Sequence, residues 1–589
     1  MINKTVFELQ EILFRLDDEK IDSKLFLLSE GYTYIENGNL VISGKTRVDF
    51  CTYFNAFSIA KWKKYTKINS VFLELNFKGK AEITLYSHKI LYGEEIRSVV
   101  NRQIIDSEKS DKVMLLYNNN DKNVISYSYG IKTFTDDFRL FNARYVTNEW
   151  VKENRVKLAL VFTTYNREKY IKQNLEHIAK CDSEKIHVYV IDNASNLNIK
   201  SYNNVSVIKN QNVGGAGGFA LGMINFIDNM KNERYTHCIL MDDDANIDCK
   251  VIQRLINFLK YINSEYYGSF ISGAMLRKDL SYYQVESGAK WNNGKIESNG
   301  HGIDLRKSYQ WLNNNIEQPI EYAAWWFCVI PTEYIRNDNL PLPIFVFNDD
   351  VDFGLRNSPN IITLNGICVW HDAFESKKNA MRCYYESRNR LIVNSCNNIQ
   401  ESKNIYIKQL KKDILEAINL YQYDNAYAIL EGVKDFLKGP KWLMELNSEA
   451  YNNAVAKKNV QLVDFDVLTV PYDWYRLCCT IKDCDIIHRF IRKFTKNGYL
   501  LSADREVVLP FYASNVEAGY RAKKITYYDE ITGKGFVVAR DMKQRIRILK
   551  EYSNVKKLIW KRYDEISKLY RENYMYLISR EQWEKYLKL

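Results

Sequence analysis

An apolar run, His237-Cys238-Ile239-Leu240-Met241, ends in three consecutive carboxylates, Asp242, Asp243 and Asp244. The run has the length and character of a buried strand, and in open α/β sheets the loops leaving such strand ends line the edge where ligands bind. Side chains alternate along extended backbone, so Asp242 and Asp244 can share one side while Asp243 points away. Two carboxylates so placed suit a hard divalent cation held jointly with a diphosphate. The competing reading is an acidic, solvated loop in which Asp244 caps a helix beginning near Ala245-Asn246-Ile247.

Other polar segments sit after predicted strands in the same way. Thr163-Thr164-Tyr165-Asn166-Arg167-Glu168 comes after one, and Asp192-Asn193-Ala194-Ser195 ends the next, where a carboxylate can accept hydrogen bonds from a uracil or a ribose. In Asn212-Val213-Gly214-Gly215-Ala216-Gly217-Gly218-Phe219, four glycines in five positions let backbone approach a ligand at a helix N-terminus, whose amides attract phosphate. The spacing is neither G-x-G-x-x-G nor G-x-x-x-x-G-K-[ST], which excludes the dinucleotide and P-loop readings. Each segment alone reads as turn chemistry; their order on successive strand tips does not.

The elements that must position these residues alternate. Leu158–Phe162, Ile186–Ile191 and Val205–Ile208 read as strands, Glu168–Ala179 as a helix with Ile171, Leu175 and Ile178 on one face, and about Gly218–Asn232 as another helix. That βαβ succession predicts a mostly parallel sheet covered on both faces. Residues 1–152 are β-rich and predict a sandwich of jelly-roll type, with Val71–Phe77 and Ala81–Tyr86 as a hairpin turning at Lys78-Gly79-Lys80. Tyr32, Tyr34, Phe50, Tyr53, Phe54, Phe57 and Trp62 are its candidate core, exposed members being available to stack on sugars. Residues 396–589 read as mainly helical, with Met542, Ile546, Leu549, Tyr552, Val555, Ile559, Tyr563, Ile566 and Tyr570 as a core stripe. The basic residues between them form a solvated face or, with Trp560, a peripheral contact with anionic lipid.

Composition bounds the alternatives. A chain of 589 residues, 46% hydrophobic with only 8 prolines, fills several packed domains without long flexible linkers. A net charge of +11 suits an anionic substrate or membrane surface, and no nucleic-acid-binding module is present. The 11 cysteines form no C-x-x-C pair, and with Cys478-Cys479 adjacent and Cys484 nearby they give neither a disulfide framework nor a zinc pattern, implying reduced thiols in the cytoplasm. The segment Met1–Asp18, with Glu8, Glu11, Asp17 and Asp18, shows no leader pattern, and no apolar stretch approaches a membrane span.

The ordered set Thr164-Tyr165-Asn166-Arg167, Asp192-Asn193-Ala194-Ser195, Asn212-Val213-Gly214-Gly215 and Asp242-Asp243-Asp244 resembles the family 2 glycosyltransferases of GT-A fold. With Trp325-Trp326, Pro341-Leu342-Pro343-Ile344-Phe345, Asn348-Asp349-Asp350-Val351-Asp352-Phe353-Gly354, Val369-Trp370-His371 and Tyr385-Glu386-Ser387-Arg388-Asn389-Arg390, the resemblance is closer to the polymerising galactofuranosyltransferases of the mycobacterial galactan pathway. It spans roughly residues 30 to 400 and is weak over the helical tail.

The resemblance implies a Rossmann-like GT-A catalytic domain over residues 153–395, flanked by the sandwich and the helical domain. It implies Mn2+ or Mg2+ held by Asp242, Asp244 and His371; donor contacts from Thr164, Arg167, Asp192, Asn193, Asn212, Gly214, Gly215 and Asp243; and a catalytic base at Asp350 supported by Asp349. Asp349, Asp350 and Asp352 would equally suit the N-terminus of a helix as favourable dipole charges. Trp325 and Trp326 are implied as acceptor contacts, although two core tryptophans would look the same, and Glu286 as an acceptor-binding acid at an offset match. The expected activity is inverting transfer of galactofuranose from UDP-galactofuranose to a hydroxyl of a growing lipid-linked glycan, at the inner face of the plasma membrane. UDP-galactopyranose or dTDP-rhamnose as donor, a noncatalytic glycan-binding relative, and assembly into a homo-oligomer are the alternatives left open.

Overall fold

The computed structural model describes residues 6–16, 20–134, 137–202, 204–292, 294–372, 378–399, 402–465 and 486–588. Asp17, Asp18, Cys478, Cys479 and Cys484 lie outside them. Two compact units are present, one of Met1–Asn210, Leu221–Asn337 and Phe353–Asp372, the other of Gln211–Ala220, Asp338–Asp352 and Ala373–Leu589. Among the described residues no disulfide is formed, and no helix is long and apolar enough to cross a membrane.

The first unit opens with a seven-stranded antiparallel sheet. Its frame is one continuous strand, Phe72–Leu91, which pairs with Phe138–Thr147 through its first half and with Ser126–Thr133 through its second. Asn39–Asp49 likewise changes partner between the same two strands, so the pairings close into a circuit. The hairpin expected at Lys78-Gly79-Lys80 therefore does not form there. Gly79, at φ +107°, sits at a register shift where the partner strand Glu94–Leu116 advances from Asp111 to Ser107 against Phe77 to Gly79, and the chain continues past it without reversing. The reversal comes at Tyr92-Gly93, both at positive φ, as a tight hairpin turn requires.

Phe50, Tyr53, Phe54, Phe57 and Trp62 are buried, as their density in the sequence predicts, whereas Tyr32 stands 68% exposed. Phe26, Tyr53 and Phe54 cluster with Ala274, Leu276, Cys368 and Trp370. The Phe54 ring stacks on Phe26 at 4.7 Å and on Trp370 at 5.8 Å between centroids. The turn that follows strand Asn39–Asp49 thus packs against the strand Cys368–His371.

The α/β part of this unit is built on a sheet ordered Val205–Lys209, Ile186–Asp192, Leu158–Thr164, His237–Asp242, Cys328–Pro331, Phe270–Ser272 and Ile361–Ile362. The first four strands run parallel, and Cys328–Pro331 is antiparallel to both its neighbours, which makes the sheet mixed. The near-continuous burial of Leu158–Thr164 and Ile186–Asp192 explains their unbroken apolar character. Helix Glu168–Ile178 buries Ile171, Leu175 and Ile178, as its period predicts. A second, four-stranded sheet sets Ala274–Arg277 parallel to Cys368–His371, with Arg277 opposite His371.

The second unit is mainly helical, including Ala380–Cys396, Lys403–Asn419, Tyr423–Phe436 and Met542–Glu572. The long helix buries Tyr552, Val555, Ile559, Tyr563, Ile566 and Tyr570 as expected, but its first turns bury Arg545 and Ile548, while Ile546 is 60% exposed. The stripe is displaced there because the Arg545 guanidinium lies over the Tyr499 ring at 4.6 Å. A small sheet, Val463–Asp464, Lys534–Ala539, Ala522–Asp529 and Arg505–Leu509, interrupts the region whose sequence reads as helical.

Truncating Phe54 to alanine removes the ring between Phe26 and Trp370, and should cost about 3–5 kcal/mol, read as a lower urea midpoint. An unchanged midpoint would mean that this packing layer does not secure the Cys368–His371 strand.

Candidate active site

Strand His237–Asp242 ends with Asp242 opposite Thr163 in register, so the carboxylates leave the sheet at the tip shared with Leu158–Thr164. Helix Cys249–Tyr261 comes next, and its N-cap is Asp248, whose carboxylate accepts from the Lys250 amide at 2.7 Å. Asp244 is therefore not a helix cap. Instead, Asn246 exchanges backbone hydrogen bonds with Trp370 at 2.8 and 3.1 Å, stitching the loop after the triplet to the strand that ends in His371.

That stitch brings three ligand-type side chains together. His371 Nε2 lies 2.8 Å from Asp244 Oδ1 and 3.7 Å from Asp242 Oδ2. One ligand atom from each of Asp242, Asp244 and His371 lies within 4.8 Å of the others. The Asp372 carbonyl oxygen is 2.8 Å from His371 Nδ1, and accepting its proton would aim the other ring nitrogen at the acids, as outer partners commonly do for a metal-binding histidine. Two carboxylates and an imidazole are a donor set suited to Mn2+ or Mg2+. Asp242 is partly exposed and Asp244 buried, so the cluster opens to solvent on the Asp242 side.

Asp243 turns the other way, as alternation predicts. Its carboxylate accepts from Thr164 Oγ1 at 2.7 Å and from Arg167 Nη1 at 2.8 Å, and Arg167 also lies 3.0 Å from Asp244 Oδ2. Burial raises the Asp243 carboxyl above its usual range, opposed by Arg167 and Thr164 and reinforced by Asp244. Burial disfavours the charged guanidinium of Arg167, but Asp243 and Asp244 outweigh it and hold the group above its ordinary value.

Asp192 and Asn193 occupy the neighbouring tip. Asp192 is buried, and its two oxygens accept the backbone amides of Ala194 at 3.0 Å and Leu197 at 2.8 Å. Asn193 donates to Thr163 Oγ1 at 3.3 Å and accepts from Asn210 at 2.8 Å. The same residues that could meet a nucleoside thus also build the turn.

In the second unit, Asn212 Oδ1 accepts the Gly214 amide at 3.2 Å where helix Gly214–Glu233 begins, four residues earlier than expected. Gly214 has φ +72°, and a Cβ there would lie 2.2 Å from the Phe345 carbonyl oxygen, so only glycine fits. Nothing lies within 4 Å of a Cβ built on Gly215. Asp349 and Asp350 open helix Asp349–Asn357, preceded by Phe345, Phe347 and Asn348 at positive φ. Such a run of left-handed, non-glycine residues is strained and needs external support. Asn389 supplies it by donating to the carbonyls of Ile344, Val346 and Phe347 at 3.1, 2.6 and 3.0 Å, with Arg388 donating to Ile344 at 2.7 Å. Asp352 is wholly buried and accepts from Asn397 and Tyr574, which gives this third acid a structural task.

Residues 9–148 match the family model Galactofuranosyltransferase 2 N-terminal, and residues 159–283 match Glycosyl transferase family 2. The chain carries a family 2 glycosyltransferase domain over residues 159–283. It is similar to galactofuranosyltransferase GlfT2 of Mycolicibacterium smegmatis, 22% identical over 79% of this chain and 76% of that protein. GlfT2 of Mycobacterium tuberculosis is 20% identical over 75% of this chain and 74% of its own length. Among solved structures, S. aureus TarS 1-349 matches 51% of this chain and 87% of its own at 14% identity, with a TM-score of 0.28, too low to add to the fold described above.

Trp325 and Trp326 are both buried, the Trp326 indole donating to the Gly273 carbonyl at 3.0 Å and Trp325 meeting Phe353 edge-on at 5.7 Å. Glu286 is buried and accepts from Ser298 at 2.5 Å. Lys278 belongs to none of the motifs, yet its ammonium donates to the Asp244 carbonyl at 2.5 Å and lies 3.5 Å from the Asp372 carboxylate. A signal for it exists: Lys278 stands just past the apolar run Ala274-Met275-Leu276, at the end of the strand beside His371. Asn174, donating to the Asp243 carbonyl at 3.0 Å, lies on the helix Glu168–Ile178 and carries no such signal.

A buried acid with a raised folded value contributes stability that is present below its unfolded value and lost as pH rises through the folded one. Arg167→Met removes the main opposing charge on Asp243. Its deficit in urea midpoint relative to the parent should be smallest near about pH 3.9 and widen as the pH rises through the raised Asp243 value. A pH-independent deficit would remove this electrostatic account.

Proposed function

We propose that the chain is a metal-dependent, inverting galactofuranosyltransferase, using UDP-galactofuranose to extend a lipid-linked cell-surface glycan at an acceptor hydroxyl. A glycosyltransferase of family 2 takes a nucleotide-sugar donor, and the galactofuranose assignment draws on the N-terminal family match and the two mycobacterial relatives. The observation that carries the metal dependence is the cluster of Asp242, Asp244 and His371 at the strand tip. Mn2+ or Mg2+ held there would neutralise the charge of the departing diphosphate.

The remaining roles belong to the chain's own groups. Asp350 is proposed to accept the proton of the acceptor hydroxyl as its oxygen attacks the anomeric carbon and the bond to the UDP oxygen breaks, with Asp349 in support. Asp350 is partly exposed whereas Asp349 and Asp352 are buried, which favours Asp350 among the three. Thr164, Arg167 and Asp243, with Asp192, Asn193, Asn212, Gly214 and Gly215, are proposed to hold the donor. The acceptor roles of Trp325, Trp326 and Glu286 rest on the family resemblance. Residues 153–395 are proposed as the catalytic domain, 1–152 as its sandwich partner and 396–589 as a helical domain.

Contact with the inner face of an anionic membrane is proposed through helix Met542–Glu572, where Trp560 is 46% exposed beside Lys556, Lys557, Lys561 and Arg562. Flotation with anionic vesicles at low salt should carry the protein upward, and its absence would remove the membrane contact.

Release of UDP in the presence of Mn2+ should be fastest from UDP-galactofuranose in a panel with UDP-galactopyranose and dTDP-rhamnose; turnover of another donor alone would sink the donor assignment. Asp350→Asn should lower kcat by about a hundred- to ten-thousand-fold while leaving UDP binding measurable. Asp244→Asn should instead weaken metal-dependent donor binding. Full transfer by Asp350→Asn would show that the base lies elsewhere.

A further inference from the structure

A second group of ligand-type side chains lies in the antiparallel sheet. Cys51, just past strand Asn39–Asp49, His88 on Phe72–Leu91 and Glu95 on Glu94–Leu116 each offer a ligand atom within 4.8 Å of the others. His88 Nδ1 is 2.9 Å from Glu95 Oε1 and 3.9 Å from Cys51 Sγ. Cys51 and His88 are buried, and the Glu95 side chain is 17% exposed.

We propose that Cys51, His88 and Glu95 form a binding site for a borderline-soft divalent cation of the zinc class, separate from the acidic cluster at the strand tip. Three observations converge on it. The donor set is a thiol, an imidazole and a carboxylate, which selects zinc-type ions over the hard ions suited to Asp242 and Asp244. The outer partners are in place: Ser128 Oγ lies 2.7 Å from His88 Nε2, and Ser308 Oγ donates to Glu95 Oε2 at 2.6 Å. These contacts leave His88 Nδ1 and Glu95 Oε1 as the atoms facing Cys51, just as hydrogen bonds from outer partners orient ligands around an ion.

The third observation is charge. Binding releases the thiol proton of Cys51, and a neutral His88 carries its one proton on Nε2, where Ser128 Oγ accepts it. Thiolate and carboxylate then offset the dication, so the buried site is neutral. Asp49, the nearby acid on the same strand end, is already paired with Arg97 at 2.5 Å and adds no uncompensated charge. The ion would tie the long hairpin Phe72–Leu116 to the segment after Asn39–Asp49. Cys51 belongs to the same apolar cluster as Phe54 and Trp370, so the tie sits in the layer supporting the His371 strand.

The full-length protein, stripped with chelator and titrated with Zn2+ alone, should retain one zinc per chain after desalting and gain thermal stability. Co2+ in its place should give a thiolate-to-cobalt charge-transfer band. Asp244→Asn should keep both signals. Cys51→Ser should abolish the band, and Glu95→Gln, which preserves the size and the Ser308 contact, should weaken Zn2+ binding tenfold or more while remaining folded. The site is overturned if the parent retains no zinc, if the band persists in Cys51→Ser, or if Glu95→Gln binds Zn2+ as the parent does. Should Cys51→Ser fail to fold, the Glu95→Gln titration decides.

Discussion

Three carboxylates in consecutive positions at one strand tip are an electrostatic liability that the surrounding structure must offset. Two unit charges 4 Å apart near a protein surface repel by about 4 kcal/mol, and Asp243 and Asp244 are both buried. Arg167 bridges these two, Thr164 donates to Asp243, and His371 closes on Asp244 and Asp242. Each of these groups comes from the end of a different strand or the start of a helix, so the sheet order is what lets the acids coexist. The same repulsion is what makes a dication welcome on the face that Asp242 and Asp244 share.

The arrangement depends on two kinds of support. Backbone pairing between Asn246 and Trp370 sets His371 at the triplet, and the Trp370 ring is packed by Phe54 from the turn after strand Asn39–Asp49. In the helical unit the support is hydrogen bonding to carbonyls. Asn389 commits its amide to three carbonyls of a strained loop, holding Asp349 and Asp350 at a helix start where their charge is favoured. Asp352, taken up by Asn397 and Tyr574, shows that neighbouring acids in one motif divide their tasks.

Much of this is legible in the sequence where the signal is local. Unbroken apolar runs mark the central strands, and the polar segments after them mark the tips, because a parallel strand buried on both faces has no other composition available. The pairing of Asp242 and Asp244 with His371 is legible only through family resemblance, since nothing local says which histidine returns to a given strand tip. Gly79 reads as a turn because a glycine between basic residues looks the same in a bulge and in a hairpin; only the partner strands distinguish them. Asn174 escapes sequence reasoning because its partner, the Asp243 carbonyl, leaves no mark in a sequence, and Asn389 is visible only as part of a family motif, not as the support of a strained loop. Cys51, His88 and Glu95 lack any recognisable spacing, since their proximity comes from the hairpin register and the return of the chain after Asp49.

The stitch between Asn246 and Trp370 also bears on modularity. The stretch matching the family 2 model ends at Tyr283, with Asp242 and Asp244 inside it and His371 outside. The candidate cation centre is therefore discontinuous in the chain: an excised segment bounded by that match would carry two donors of three, and would lack the strand that orients them. What family similarity delimits as a unit of descent is smaller than the unit that can assemble the chemistry.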